Sequence, residues 1–460
     1  MNVLILISCL GLLSLFVGLS DSLRKYSLQV IVAGIAAIFV LNVLNWPLEN
    51  TRFYSDMVNF DHYAVAFTGL ILFVSALVFM LSKDQFSFDE KSTGDYYGIM
   101  VFTIAGAIMM VSYSNLAMLF IGIEALSVSL YTLAGSRKTD HGSNEAALKY
   151  FILGAFATGF LLFGITMIYG ASGSFNLLEI AAYVNGTADL PYLFYAGLLM
   201  LMVGLLFKVS AVPFHFWAPD VYEGSPNIVT SFMATVVKIA AFAAFYRMFS
   251  TCFGAASEHW SLILSGVIVL TLVVGNFSAL TQTGLKRLLA YSGIANAGFM
   301  LLSILALKGD AQSALFYYSI AYATASLGAF SVLILLSEDG KILSIDQLRG
   351  LGKKNPVVAV LFTIILLSLA GIPPTAGFFA KYFIVSTAIA NGYLVVSLIA
   401  ILTSLVGIYY YFKIIAALFS APQEGSENTF GEKKSYILIL CAAITIAAGI
   451  LPELIIGLLR

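Results

Sequence analysis

Apolar runs of roughly 18–28 residues recur along this chain from end to end, each long enough to cross about 30 Å of hydrocarbon as a helix. They lie near residues 3–20, 28–45, 63–82, 97–113, 115–134, 146–170, 192–219, 226–250, 260–280, 286–307, 311–337, 356–386, 392–420 and 435–456, about fourteen spans in all. With 60% hydrophobic and 10% charged residues, against ~25% charged in a typical soluble domain, a water-soluble fold would have no surface to show. The alternating ten-residue strands of an outer-membrane barrel are absent. Helices, which satisfy their own backbone, are then the way to cross. The expected fold class is an all-α polytopic membrane protein.

Loop charges orient the spans. The first has no positive n-region; Arg24 and Lys25 follow it. That predicts a retained helix with its N-terminus outside rather than a cleaved signal. Cys9 in "LISC" sits inside the apolar run without basic flanks and does not read as a lipoprotein cleavage box. The inner loops then carry Arg24, Lys25, Lys83, Lys91, Arg137, Lys138, Lys286, Arg287, Lys341, Arg349, Lys353, Lys354, Lys433 and Lys434, and the outer side only Arg52, Arg247, Lys308 and Arg460. An excess of cations on one side places both termini outward. The formal net charge is −1 and no basic patch lies outside those loops, so nucleic acid is not a partner.

Five cations remain inside spans: Lys149, Lys208, Lys238, Lys381 and Lys413, with one deep acid, Glu124. Each would disfavour insertion by ~2.5–3.5 kcal/mol if buried alone. Lys238 has about twelve residues of its span on each side and reaches neither surface. Lys208 and Lys381 flank the breaks "AVPFHFWAPD" and "AGIPPTAGFFAK". Proline removes a helix hydrogen bond, and an intramembrane break is tolerated only where protein or a water-filled cavity satisfies the freed groups. These three lysines and Glu124 are the candidate functional charges. Lys149 follows Glu145 by one turn and also fits a plain i,i+4 pair. Lys413 is within snorkelling reach of the inner surface. His215, in the first break, fits either a hydrogen-bonded core residue or a relay. Asp220 and Glu223 sit at the inner end of the same span, either solvated or gathering protons.

A lysine in low-dielectric surroundings holds its proton less tightly, and a nearby carboxylate restores the hold. At an effective dielectric of ~20, two charges 4 Å apart interact by roughly 4 kcal/mol. Lysines and a carboxylate linked by water therefore form a switchable proton path, whereas a sodium site needs clustered oxygen ligands that lysines would repel. Cys9, Cys252 and Cys441 are scattered and form no CxxC, so no iron–sulfur or zinc site is readable. No GxGxxG or P-loop follows a strand. The expectation is that this chain binds neither cofactor nor metal.

The breaks recur five spans apart, near Pro213 in span seven and Pro373–Pro374 in span twelve, and "GAFATGF" is echoed by "IAYATAS". Spans 4–8 and 9–13 thus read as two five-helix repeats. Five is odd, so the second is inverted in the membrane, as in many transporters. The expected organisation is a three-helix segment over 1–96, a first repeat over 97–250, a second over 260–420 and a C-terminal helix over 421–460.

The segments "FIGIEALSVSLYTLAG", "EAALKYFILGA", "LLFKVSAVPFHFWAPDVYEGSP", "MATVVKIAAF", "GNFSALTQTGLKRLLAYSGIANAGF", "IDQLRGLGKKNP", "LSLAGIPPTAGFFAKYFI" and "YYYFKI" run in unbroken order from about residue 115 to 415. They resemble the antiporter-like membrane subunits of respiratory complex I, the bacterial NADH:quinone oxidoreductase. The resemblance implies that Glu124 pairs with Lys208 across an inlet half-channel and that Lys149 tunes that pair. Lys238 would be the connecting site and Lys381 the outlet-side site. Lys in span twelve, with a chain ending just after span fourteen, fits the shorter lysine-bearing branch of the family. Many relatives carry a histidine where this chain has Asn296, which cannot titrate near neutral pH; a relay step there would pass through water.

The resemblance further implies a subunit of a proton-translocating enzyme in the bacterial inner membrane, with no redox centre of its own. NADH, flavin, iron–sulfur clusters and quinone would belong to other subunits, and neighbouring antiporter-like subunits and the lipid bilayer would be its partners. The rival readings are a subunit of a multisubunit cation/proton antiporter or membrane-bound hydrogenase, and a non-conducting scaffold. Five buried lysines argue against the scaffold, since packing alone uses small and apolar residues.

Overall fold

A computed structural model describes residues 3–46, 51–83, 85–86, 92–336, 343–421 and 436–459. Lys91, Lys341, Lys433, Lys434 and Arg460, counted above in orienting the chain, lie outside the described residues. The described chain is almost wholly helical: α1 (Val3–Leu19), α2 (Ser27–Leu44), a hairpin of β1 (Thr51–Phe53) and β2 (Val58–Phe60), then α3 (His62–Leu81), α4 (Thr93–Ser112), α5 (Leu116–Ala134), α6 (His141–Ser172), α7 (Leu177–Gly186) and α8 (Tyr192–Lys208). There follow α9 (Trp217–Gly224), α10 (Asn227–Phe232), α11 (Lys238–Met248), α12 (Ser257–Leu280), α13 (Leu285–Ala306), α14 (Ala311–Leu336), α15 (Leu351–Lys354), α16 (Pro356–Ala370), α17 (Ala376–Ala390), α18 (Leu394–Phe419), α19 (Tyr436–Ile450) and α20 (Pro452–Ile456).

Among the described residues ten helices are long and apolar enough to cross a membrane, and five shorter apolar helices of 10–17 residues accompany them. Four of those five arise where the sequence pattern runs on but the helix does not. Proline-containing turns cut residues 192–219 into α8 and α9 and residues 356–386 into α16 and α17. Leu451 and Pro452 likewise part α19 from α20. Hydropathy averages over such breaks, because the residues that make them are themselves apolar.

Local chemistry sets the helix ends. Asp61, Asn115, Asp140 and Asn176 cap α3, α5, α6 and α7 by accepting from Ala64 N, Ala117 N, Gly142 N and Leu178 N, satisfying donors that a helix start leaves open. Asn355 caps α16, with Pro356 in its first turn, a position where a missing N–H is harmless. Two elements have no counterpart in the hydrophobic pattern. The hairpin strands are three residues each, joined through Tyr54, Ser55 and Asp56, all at positive φ. Helix α7 spans only 10 residues and buries Leu177, Ile180 and Val184 on one face.

The chain packs as two units, residues 1–209 with 236–263, and residues 210–235 with 264–460. In the first, α4 packs on α1 and α5, α6 on α8, and α11 on α4 and α8. The α4–α5 contact depends on glycine: a Cβ at Gly106 would stand 2.7 Å from Leu126 N, and one at Gly122 2.9 Å from the Met109 side chain. Small residues let helices approach where there is no water to drive them together. In the second unit α14 is the hub for α13, α16, α17 and α19, and α13 also packs on α9. Within residues 227–253 an 18-residue apolar window is wholly buried.

Candidate functional site

In the first unit, Lys208 closes the last turn of α8 and is 6% exposed. Its ammonium donates to Ser127 Oγ at 2.7 Å. It forms no ion pair with Glu124 in this structure. Ser127 lies one turn beyond Glu124 on α5 and itself donates to the Ile123 carbonyl. Glu124 Oε1 is buried and has no hydrogen-bond partner. A buried acceptor without a donor is costly, and a charged one more so. The site thus places the lysine on a neutral hydroxyl, one turn from a carboxyl group whose Oε1 has no partner. Tyr131, a further turn along α5, completes a polar row at i, i+3 and i+7. Its hydroxyl fills the space left by Gly154 on α6, where a Cβ would overlap it.

Lys238 opens α11, immediately after a π-helical turn over Met233–Val237. Such turns widen a helix locally and recur at functional sites. It is 3% exposed and sits on a helix that packs directly against α8. Lys149 pairs with Glu145 at 2.7 Å on an exposed stretch of α6, the i,i+4 pair that its spacing allowed.

In the second unit, the segment after α8 turns through Ser210, at φ +61. The freed Val212 N–H donates to Thr271 Oγ1 at 3.0 Å, and Thr271 donates onward to the Val267 carbonyl. His215 is buried with its ring 4.4 Å from that of Phe216 and its Nδ1 unpartnered. Asp220 and Glu223 are not merely solvated: Arg287 binds them at 2.9 and 2.8 Å. Lys286, read from the sequence as a loop cation, is buried at the start of α13 and donates to the carbonyls of Ser225 and Glu223. Together they clamp the turn after α9.

Lys381 lies on α17, beyond the second break, and folds back to donate to the Ala370 carbonyl at 2.8 Å. Its ammonium stands 5.1 Å from the Phe299 ring centre, close enough for a cation–π contact. Gly371 makes this possible. It ends α16 at φ +83, and a Cβ there would meet Lys381 Cδ at 2.8 Å and Nζ at 3.1 Å. The break is packed as tightly on its other side, where Gly377 donates to Ser368 Oγ at 3.1 Å and a Cβ would overlap the Ser368 carbonyl.

Asn296 is buried, and both ends of its amide are engaged. Nδ2 donates to the Ser292 carbonyl at 2.9 Å, and Oδ1 accepts from Tyr318 at 2.7 Å. Ser292 hydrogen-bonds Tyr411, while Tyr410 donates to Asn276 at 3.3 Å. Asn296 therefore ties α13 to α14 within a network of tyrosines. Lys413 is exposed on α18, apart from this network.

The geometry thus gathers Glu124, Lys208 and Lys238 on packed helices of one unit, seats Lys381, His215 and Asn296 in the other, and leaves Lys149 and Lys413 on outward faces. Ser127, Tyr131, Thr271 and the tyrosine network were missed in the sequence. Only the first two left a trace there, the one-face spacing of "EALSVSLY". Among the described residues no three His, Cys, Asp or Glu side chains gather to hold a metal ion.

Residues 113–407 match the family described as NADH:quinone oxidoreductase/Mrp antiporter, transmembrane. The chain is 40% identical over 459 residues to NADH-quinone oxidoreductase subunit N of Flavobacterium psychrophilum, covering 100% of both. Its fold matches a chain of respiratory complex I from Thermus thermophilus with a TM-score of 0.85 and 33% identity, covering 99% of each. A chain of the Mrp complex from a Dietzia species shares the fold at a TM-score of 0.84 and 19% identity, covering 100% of this chain and 96% of that one.

Proposed function

This chain belongs to the NADH:quinone oxidoreductase/Mrp antiporter family, in its subunit N branch, and from that premise we propose that protons cross it along Glu124, Lys208, Lys238 and Lys381. It serves as a proton-translocating membrane subunit of NADH-quinone oxidoreductase, beside other membrane subunits and with redox chemistry carried elsewhere in the complex. NADH, flavin, iron–sulfur clusters and quinone belong to those other subunits. Residues 97–250 form the inlet repeat and 260–420 the outlet repeat, inverted with respect to each other, after a three-helix segment over 1–96 and before a C-terminal helix over 421–460. The membrane is the bacterial inner membrane, and both termini face outward, as the loop cations indicate.

The observation that carries the reading is the arrangement at Lys208. Its ammonium rests on Ser127, one turn from a carboxylate whose Oε1 has no partner. Swinging from the hydroxyl to Glu124 would strengthen the lysine's hold on its proton, and swinging back would weaken it. A change of charge or hydration arriving from the redox subunits needs only to bias those two positions. Lys238, on the helix packed against α8, receives the proton; Lys381, beside the second break, passes it on. Lys149 and Glu145 adjust the field from α6. His215 lines the route without being loaded, Asn296 holds α13 to α14 as a structural support, and Lys413 faces a neighbouring subunit or lipid.

NADH-driven proton uptake in inverted membrane vesicles tests this, comparing wild type with Lys208→Ala at equal assembled complex. Uptake is expected to fall by about a hundredfold or more, the scale of a lost proton-transfer group, with NADH oxidation falling alongside. Unchanged uptake and oxidation would leave Lys208 a structural residue and sink the route. Copurification with small membrane proteins alone, without flavin and iron–sulfur polypeptides, would move the chain to a cation/proton antiporter.

A further inference from the structure

Arg247 is buried in the first unit, yet neither the loading of Lys208 nor its relay to Lys238 uses it. At the hairpin end of that unit lies a cavity of 230 Å³ whose walls include Arg52, Asp56, Asn59, Asp61 and Arg247. Its collar is built from backbone: Ser114 N bonds Met57 O, Leu116 N bonds Phe175 O and Leu177 N bonds Ser114 O. Exposure falls steeply inward, from 48% at Arg52 and 54% at Asp56 to 30% at Asp61 and 8% at Arg247. The floor is the guanidinium. Its Nη2 holds Asp61 Oδ1 at 2.6 Å, its Cζ stands 5.1 Å from the centre of the Tyr63 ring, and its Nε is buried without a protein partner. Asn59 Oδ1, on the same cavity, is also buried and unpartnered.

Below the floor the character changes. Lys238 to Met248 are all buried, and nine residues separate Lys238 from Arg247, about 14 Å of helix. Tyr63 and Tyr113 donate to the Ala243 and Ala244 carbonyls, each at 2.8 Å, so backbone acceptors in between are already taken. A polar cavity thus ends on a buried cation, and a fully buried stretch of the same helix leads on to Lys238.

We propose that Arg247 is an electrostatic plug that keeps Lys238 from exchanging protons with water at the hairpin end of the unit. The inference rests on the reading of Lys238 as a proton site. A buried site that meets both aqueous sides at once dissipates the gradient it helps to build, so one side needs a barrier. A positive charge lining a narrow polar passage repels hydronium. Asp61, nearer the mouth, holds the guanidinium in place; the guanidinium lies between that acid and Lys238.

The test is passive proton conductance of the whole complex in proteoliposomes carrying an entrapped pH dye. Conductance is read after an acid pulse with potassium and valinomycin clamping the potential and without NADH. Arg247→Gln is expected to raise conductance roughly tenfold or more, the scale of removing one charge a few ångströms from the path. Arg247→Lys is expected to stay tight, and so is Asp61→Asn, which breaks the same ion pair but keeps the cation. A purely structural pair predicts that Asp61→Asn and Arg247→Gln leak alike, and that result would overturn the proposal, as would a tight Arg247→Gln. Should Arg247→Gln fail to assemble, the doubly neutral Asp61→Asn/Arg247→Gln variant decides: a leak supports the plug and tightness overturns it. Adding Lys238→Ala to the leaking variant is expected to close the leak; persistence would show that Arg247 guards some other path. Because no turnover is involved, these outcomes stay separate from a failure of Lys208→Ala to alter pumping.

Discussion

At the first break the lysine ends its half-helix and reaches a different helix, where Lys208 donates to Ser127 beside Glu124. At the second, the lysine lies beyond the break and turns back on it, where Lys381 donates to the freed Ala370 carbonyl under the face of Phe299. Both arrangements satisfy a buried ammonium, but with partners of different mobility. A serine hydroxyl and a neighbouring carboxylate are two side-chain stations between which one ammonium can move by changing rotamer. A backbone carbonyl at a helix end and a packed ring are fixed. On the proposed route the first lysine is therefore a switch and the second a seat. The freed backbone is treated differently as well. At the first break Thr271 takes the Val212 N–H; at the second Lys381 itself takes the Ala370 carbonyl.

Each difference can be broken separately. The largest effect is expected at Gly377, where any Cβ overlaps the Ser368 carbonyl and backbone cannot yield: Gly377→Val should abolish assembled complex, read by native gel. By contrast Ser210→Gly, at the positive-φ residue of the first break, should leave assembly intact, since glycine takes that conformation without strain. Next is Glu124→Gln, which removes the charged station while keeping its shape. Proton uptake should fall about a hundredfold, the lower end for losing an acid–base group, with assembly unchanged; equal uptake would show that Lys208 does not use the carboxylate. Thr271→Val should leave the Val212 N–H without its acceptor and cost about 1–3 kcal/mol, seen as a lower midpoint in thermal unfolding of the detergent-solubilised complex. The smallest effect is expected for Ser127→Ala. With the resting station gone, Lys208 stays on Glu124, and uptake should slow about two- to threefold, the kinetic equivalent of a net hydrogen bond under 1 kcal/mol. Faster uptake would mean that Ser127 holds the lysine back instead of parking it.

Several parts of this arrangement were legible beforehand. Lys208, Lys238 and Lys381 stand out because an ammonium in an apolar run is costly wherever the chain folds, and the breaks stand out because proline cannot continue a helix. Other parts were not. Lys286 looks like a loop cation because it precedes a span, yet the turn after α9 closes over it. Asn296 looks like a water-holding substitute for a titrating residue, yet Tyr318 and the Ser292 carbonyl occupy its amide. Lys149 and Lys413 fall within apolar runs like the others, with an ion pair and snorkelling as open readings, because a hydrophobic run does not say which helical face meets protein.

The membrane fold, the presence of costly charges within apolar runs and the positions of the two breaks follow from the sequence alone, because hydrocarbon penalises charge and unpaired backbone regardless of neighbours. Tertiary structure decided which partner each charge meets. Ser127 lies 81 residues from Lys208 and Asp61 lies 186 residues from Arg247. A hydrogen bond is a matter of a few ångströms and a direction, and helix packing alone brings such distant positions within that reach.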